Sequence, residues 1–507
     1  MRIYLLLTLF SSALLAGCGQ SDDVMHATED LSMKFTIKGL QQAYQDQSLT
    51  ITEVTQYFLD RIESLNPELN AMIVVNSLAL DVAAAQDAML ARGDELGPLY
   101  GIPILIKDNI ETRELPTTAG SLALKNNFTN RDADVVARLR SAGAIILGKT
   151  NLSEWANFRS KRSSSGWSAI GGQTRNPHDT SRSPCGSSSG SAVAVAAKLA
   201  VVAIGTETDG SIVCPSSLTG IVGFKPSIGL VSQSGIIPIS HTQDTAGPMA
   251  RNVKDAAILL TSMIDEGETD FAQGLHEDAL IKKRVGIIRS SANFHEGVDA
   301  VFEQAITTLR KSGAIIVDNI HMTSPKTFQK NSYDVLLYEF KHNINAYLAN
   351  LPNNLPVNNL QGLIEFNDAH EDEEMPYFKQ EIFLNSQSKG SLTDPAYLDA
   401  LARIRQATRE DGIDKVLQEY RLDVIVAPTA GAAWTIDLVN GDHWPGGGTS
   451  SYPAISGYPH ITLPMGSLHG LPLGLSFVGG ANSDEALLSM AYAFEKNQVD
   501  PTGSGLE

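Results

Sequence analysis

The chain has 507 residues, of which 43% are apolar and 19% charged, a balance that excludes a wholly disordered chain or a long coiled coil. At about 150 residues per domain that length suggests three domains, but large α/β enzymes also wrap this much chain around one sheet. The formal net charge of −19 repels phosphate backbones and argues against nucleic acid as a partner.

Residues 1–17 read as a signal peptide rather than as part of the fold. Arg2 is a short positive n-region, and the apolar run from Ile3 to Leu15 is too short to span a bilayer. Leu15-Ala16-Gly17-Cys18 resembles the lipobox of bacterial lipoproteins, which implies cleavage before Cys18 and acylation of that residue. The expected location is the bacterial cell envelope, with the chain lipid-anchored to the membrane at Cys18 and facing the periplasm or the outer surface. One acyl chain anchors only marginally, so stable attachment takes several. Residues 18–32 are polar and read as a tether, and 499–507 as a C-terminal tail. Between them, 33–498 form the folded unit.

The fold is expected to begin near Phe35. Thr50-x-x-Glu53 is a capping box, and Val54, Tyr57, Phe58, Ile62 and Leu65 fall on one helical face behind it. Asn66-Pro67 is expected to end that helix. Ile102 to Ile106 follows as a short apolar run, Asp134 to Ala142 as a helix and Ala144 to Leu147 as a strand. Ser191 to Leu199 reads as helix and Val201 to Ile204 as a buried strand. Later strands are expected at Val285 to Ile288, Ala314 to Val317, Val424 to Ala427 and Leu475 to Val478. Helices are expected over 296–311 and from Glu485 to Lys496. Such alternation predicts an α/β fold with one sheet flanked by helices on both faces. Residues 266–420 are more polar and helical, with an acidic stretch from Phe366 to Tyr377. They read either as a cap over the active site or as a surface insertion.

The chemistry concentrates between Asn176 and Ser217. One cluster of small residues spans 181–192 (SRSPCGSSSGSA) and a second 205–215 (GTETDGSIVCP), with an Ala-rich helix and a strand between. Gly and Ser permit close backbone approach and present N–H groups and hydroxyls, so two such loops can build an oxyanion site. A serine nucleophile needs a base. The eleven histidines are scattered, and none sits in a nucleophile-elbow context. Lys107 has a better setting at the end of the apolar run Gly-Ile-Pro-Ile-Leu-Ile, where burial favours the neutral amine that a base requires.

Gly101-Ile-Pro-Ile-Leu-Ile-Lys107-Asp-Asn, the Ser-rich loop and the Thr-Asp-Gly-Ser211 loop resemble the amidase signature family. The resemblance covers roughly 33–498 and includes Asp134-Val-Val-Ala-Arg-Leu, Gly148-Lys-Thr-Asn-Leu and Gly220-Ile-Val-Gly-Phe-Lys-Pro. It implies a large mixed central β-sheet and a catalytic triad of Ser211 as nucleophile, Ser187 on a cis peptide as relay, and Lys107 as base. Backbone N–H groups of Thr208, Asp209, Gly210 and Ser211 would form the oxyanion hole. The substrate would be a small-molecule or peptide amide, cleaved without metal or cofactor.

Three residues depart from the commonest family pattern. Cys185 and Ser189 replace glycines of the Ser loop, and Asp209 replaces a glycine of the oxyanion turn. The Thr-Glu-Thr-Asp-Gly-Ser-Ile variant resembles the peptide amidase subgroup, as does Pro453-Ala-Ile-Ser-Gly-Tyr-Pro-His-Ile-Thr-Leu-Pro-Met. Cys185 and Cys214 each sit within a motif, and two cysteines make no disulfide framework, so both are expected free and buried. Lys225 reads as a structural partner, and His443 and His460 as loop or pocket-wall residues. Arg182 is expected to orient the Ser loop through carbonyls. Two other functions remain open: the amide-cleaving subunit of a tRNA-dependent amidotransferase, and an inactive envelope binding protein. The export signal and the acidic charge oppose the first; the presence of Lys107, Ser187 and Ser211 opposes the second.

Overall fold

Thirteen strands run through the computed structural model, which describes residues 35–498 apart from 95, 266–268, 319 and 353–354. Cys18 and the segments read as signal peptide, tether and tail lie outside the described residues. The strands are β1 (Met72–Val75), β2 (Pro103–Lys107), β3 (Ile145–Thr150), β4 (Trp167–Ser168), β5 (Gly172–Gln173), β6 (Val202–Glu207) and β7 (Val222–Lys225). They continue with β8 (Thr245–Ala250), β9 (Arg284–Ile287), β10 (Ile315–Val317), β11 (Val424–Pro428), β12 (His460–Leu468) and β13 (Leu471–Val478). Eleven of them form one sheet in the order β1-β3-β2-β6-β8-β7-β12-β13-β11-β9-β10, while β4 and β5 pair separately. The sheet is mixed. β2 runs parallel to β3 and β6, the middle from β6 to β11 is antiparallel, and β11, β9 and β10 are again parallel.

Helices cover both faces, which explains why β2 and β6 are buried along their whole length. Because β2 and β6 are parallel and in register at Ile106 and Ile204, their C-terminal residues emerge at the same edge. Lys107 and Thr206 therefore meet there, at the kind of crevice where open α/β sheets place their sites.

The first long helix runs Ile51–Leu69, with the expected capping box at Thr50 and Glu53, but it passes through Pro67. In the last turn a proline forfeits a single backbone bond. The end comes instead at Asn70, in left-handed conformation, while the Asn66 side chain accepts the N–H of Met72 at 2.8 Å. Sequence pattern does not separate strands β7, β8 and β12 from their motifs. β8 reads Thr-Ala-Gly-Pro-Met-Ala and carries no apolar alternation, yet it is buried throughout.

Residues 266–420 contain β9 and β10 of the main sheet as well as helices. The helices Gln329–Ala349, Leu360–Ala369 and Glu381–Gln387 build a second apolar core with Trp155 and Phe158. Glu374, buried within the acidic stretch, accepts from the Ser121 hydroxyl at 2.6 Å and the Leu122 N–H at 3.0 Å. Among the described residues no helix is long and apolar enough to cross a membrane.

Candidate active site

Lys107 closes β2 with its side chain fully buried. Its Nζ lies 2.8 Å from the Ser187 Oγ, 2.8 Å from the Thr206 Oγ1 and 3.2 Å from the Thr206 carbonyl oxygen. Asn109 Nδ2 donates to the same Thr206 hydroxyl oxygen at 3.0 Å. The neighbouring carboxylate is not available to Lys107, because Asp108 forms a fully buried ion pair with Lys149 at 3.2 Å. Among the described residues no carboxylate lies within ion-pair distance of Lys107. Burial accordingly pulls its pKa from 10.5 down to about 7, against the more distant opposing pull of Glu207 and Asp244.

Ser187 is reached by a cis peptide from Gly186, and Cys185 just before it holds a positive φ of 60°. The loop is fixed on several sides. The Ser153 N–H donates to the Ser187 carbonyl at 3.1 Å, and the Ser189 hydroxyl donates to the Cys185 carbonyl at 2.6 Å. Gly186 has no space for a side chain, since a Cβ there would lie 2.1 Å from the Ser153 hydroxyl oxygen.

Cys185 and Cys214 are not free thiols: a disulfide joins them, with their Cα atoms 6.0 Å apart. Cysteine count could not reveal this pairing. It arises because the Ser loop and the helix Val213–Thr219 are neighbours in space, so the disulfide staples the segments that carry Ser187 and Ser211. The Ser188 N–H adds a second tie, donating to the Ser211 carbonyl at 3.1 Å.

The turn 207–213 is held by Glu207, whose Oε2 accepts the N–H groups of Ile212 at 2.7 Å and Val213 at 3.0 Å. Those bonds use the first N–H groups of the following helix. Among the described residues no acceptor is paired with the N–H groups of Asp209, Gly210 or Ser211, which leaves them available to a ligand. Gly210 adopts a φ of +82°, which its lack of a Cβ permits. The Thr208 hydroxyl donates to Asp244 at 2.6 Å, and the Asp209 carboxylate accepts from Ser450 at 2.6 Å and Ser451 at 2.8 Å. Ser211 is 8% exposed, whereas Ser187 and Lys107 are fully enclosed.

Two cavities border this turn. One of about 320 Å³ touches Asn109, Thr206, Thr208 and Asp244. The other, of about 810 Å³, touches Asp209, Ser450 and Ser451 and is walled by Phe294, Phe328, Leu336, Trp444 and Tyr452. Opposite ends of the helix Gln329–Ala349 close the two cavities: Tyr333 and Leu336 the larger, Asn343 and Tyr347 the smaller. Part of the 266–420 stretch thus lines both cavities beside the turn.

Lys225, which is fully buried, donates to the Pro226 carbonyl at 2.9 Å and touches neither serine of the site. Arg182 does contact a carbonyl, but that of Ala433 at 2.8 Å rather than one in the Ser loop, so it ties the approach to that loop against 433–436. His443 is a surface loop residue paired with Asp437. His460 belongs to neither loop nor pocket wall. It sits buried in β12 with Nε2 2.7 Å from the Ser476 Oγ, and burial pulls its pKa down to about 3. Sequence reasoning missed Thr206, Glu207 and the Ser450–Ser451 pair, whose residue types carry no signal until the fold brings them to the turn. Among the described residues no group of His, Cys, Asp and Glu is arranged to hold a metal ion.

The family model Amidase matches residues 53–488. A probable amidase of Arabidopsis thaliana is 37% identical, over 97% of this chain and 95% of its own length. A glutamyl-tRNA(Gln) amidotransferase subunit of Caldanaerobacter subterraneus is 32% identical, over 91% of this chain and 96% of its own. The solved structure of the peptide amidase from Stenotrophomonas maltophilia superimposes with a TM-score of 0.86 at 44% identity, covering 92% of this chain and 97% of that one. The chain belongs to the amidase signature family, has that family's fold, and is an enzyme that hydrolyses amide C–N bonds.

Proposed function

We propose that this enzyme is a serine amidohydrolase of the peptide amidase kind, with Ser211 as nucleophile, Ser187 as relay and Lys107 as base. The observation that carries the reading is the environment of Lys107: fully buried, without a carboxylate partner among the described residues, and 2.8 Å from the Ser187 Oγ. A neutral amine has two N–H donors and one lone pair. The carbonyl and hydroxyl oxygens of Thr206 match the two donors, and the Ser187 hydroxyl matches the lone pair. A lysine depressed to about 7 is half neutral near neutral pH and can act as a base there.

In the first step the Ser211 oxygen bonds to the amide carbon. Its proton passes to Ser187, whose own proton passes to Lys107. The carbonyl oxygen becomes an oxyanion, stabilised by the N–H groups of Thr208, Asp209, Gly210 and Ser211. As the C–N bond breaks, the proton returns through Ser187 to the leaving nitrogen. Water then attacks the acyl-enzyme by the same route, releasing the acid and restoring the Ser211 hydroxyl. The likeness to a peptide amidase and the 810 Å³ cavity beside Asp209 support peptide amides as the substrate class.

The same proposal places the enzyme in the bacterial envelope, lipid-anchored at Cys18. The Leu15-Ala16-Gly17-Cys18 pattern supports this, as does the Cys185–Cys214 disulfide, since disulfides persist in oxidising compartments. The test of the chemistry is labelling with a serine-directed fluorophosphonate together with release of ammonia from a peptide amide. Ser211 is the expected site of label, and Ser211→Ala should abolish both signals. Label on another serine, or ammonia release by the variant, rejects the nucleophile assignment.

A further inference from the structure

The glycine-rich segment 444–451 forms one wall of the 810 Å³ cavity. Gly446, Gly447 and Gly448 all have positive φ, at 108°, 77° and 116°, a path that side chains oppose. The path wraps round Phe294: a Cβ on Gly446 would lie 2.8 Å from its ring, and one on Gly447 3.0 Å. Beyond the glycines the segment is tied at two points. Thr449 donates to the Ser476 Oγ on β13 at 2.9 Å. Ser450 and Ser451 both donate to the Asp209 carboxylate, at 2.6 and 2.8 Å. The contact with the turn is close, for a Cβ on Gly210 would lie 3.1 Å from the Ser450 Oγ. The commonest family pattern has glycine in place of Asp209, and a glycine could not make this tie.

We infer that Asp209 is a positioning residue that sets acyl specificity: through Ser450 and Ser451 it latches the 444–451 wall onto the oxyanion turn, and the cavity so closed seats bulky apolar acyl groups. This rests on the proposed reading of Ser211 as nucleophile, two residues along the same turn. The apolar walls of the cavity, among them Phe294, Phe328, Leu336 and Trp444, match an aromatic or branched aliphatic acyl chain. A short acyl group would reach the oxyanion donors without touching that wall. The latch therefore acts on the discrimination between long and short acyl groups, not on the proton relay.

The test compares kcat and KM for an N-acylated phenylalanine amide and for propionamide, in wild type, Asp209→Gly, Ser450→Ala with Ser451→Ala, and the combined variant. The ratio of kcat/KM for the bulky over the short amide is expected to fall about tenfold in each, mainly through KM for the bulky amide. Because the three side chains act as one latch, the combined variant should lose no more than Asp209→Gly alone. An unchanged ratio, or losses that multiply in the combined variant, overturns the inference. Calorimetric binding of the phenylalanine amide to Ser211→Ala protein, with and without the latch substitutions, reads the cavity without turnover. Weaker binding after the latch is cut supports the inference, and equal binding rejects it, whatever becomes of the nucleophile assignment.

Discussion

Replacing Lys107 by methionine should separate what the buried amine costs the fold from what it does for the reaction. The side chain is wholly enclosed, and its pKa falls from 10.5 to about 7 because burial disfavours the charged form. In the unfolded chain the lysine is protonated until pH 10.5, while in the folded protein it is neutral above about 7. Between those values the unfolded state binds the additional proton, so wild-type stability rises with pH there, by about 1.4 kcal/mol per pH unit. Over the whole interval this penalty amounts to about 4 to 5 kcal/mol at or below neutral pH, and it vanishes toward pH 10.5. Methionine carries no such penalty, but it leaves the Ser187 and Thr206 oxygens short of a partner, at about 1 to 3 kcal/mol each. The two effects largely offset at neutral pH, so the informative quantity is the slope. Urea unfolding of both proteins at pH 7 and pH 8.5 should show wild type gaining about 2 kcal/mol on Lys107→Met across that interval. Amide hydrolysis by the variant should be close to background at both values. Parallel stability curves would falsify the claim that the folded lysine is neutral in this range, and with it the assignment of Lys107 as base.

In wild type kcat/KM should rise with pH through an apparent pKa of about 7 and then level, the sign required of a base that must be neutral; a rate that falls through the same range would contradict it. Ser187→Ala should lose most of the rate while Ser211 remains the site of fluorophosphonate label; full activity would remove Ser187 from the relay. Cutting the staple with Cys185→Ser and Cys214→Ser, residues 29 apart, should lower unfolding stability by about 3 to 4 kcal/mol, and an unchanged urea midpoint would contradict this. In a bacterial host, Cys18→Ser should abolish incorporation of labelled fatty acid and leave amide hydrolysis intact, whereas continued labelling would reject the lipobox.

Local signals make much of this protein legible in its sequence. The run ending in Lys107 reads as a buried apolar segment because it leaves no polar face, and it forms β2, buried throughout. The helix Glu296–Lys311 keeps its expected bounds because amphipathic periodicity and its acidic and basic ends agree. The two Gly/Ser clusters mark their loops because small residues are what close backbone approach requires, and motif order points to the amidase signature family. Other features depend on distance in space, which no local pattern encodes. Cys185 and Cys214 pair because the Ser loop lies against the helix after Ser211. Among the described residues Lys107 has no carboxylate at ion-pair distance, and Lys149, on the adjacent strand, takes Asp108. Asp209 finds its partners at Ser450 and Ser451, some 240 residues along the chain. Composition and periodicity determined which segments would be buried and which loops would be tight. Only the tertiary structure decided which charges pair and which lysine goes unpaired, because a Coulomb or hydrogen-bond partner is chosen by ångströms rather than by residues of separation.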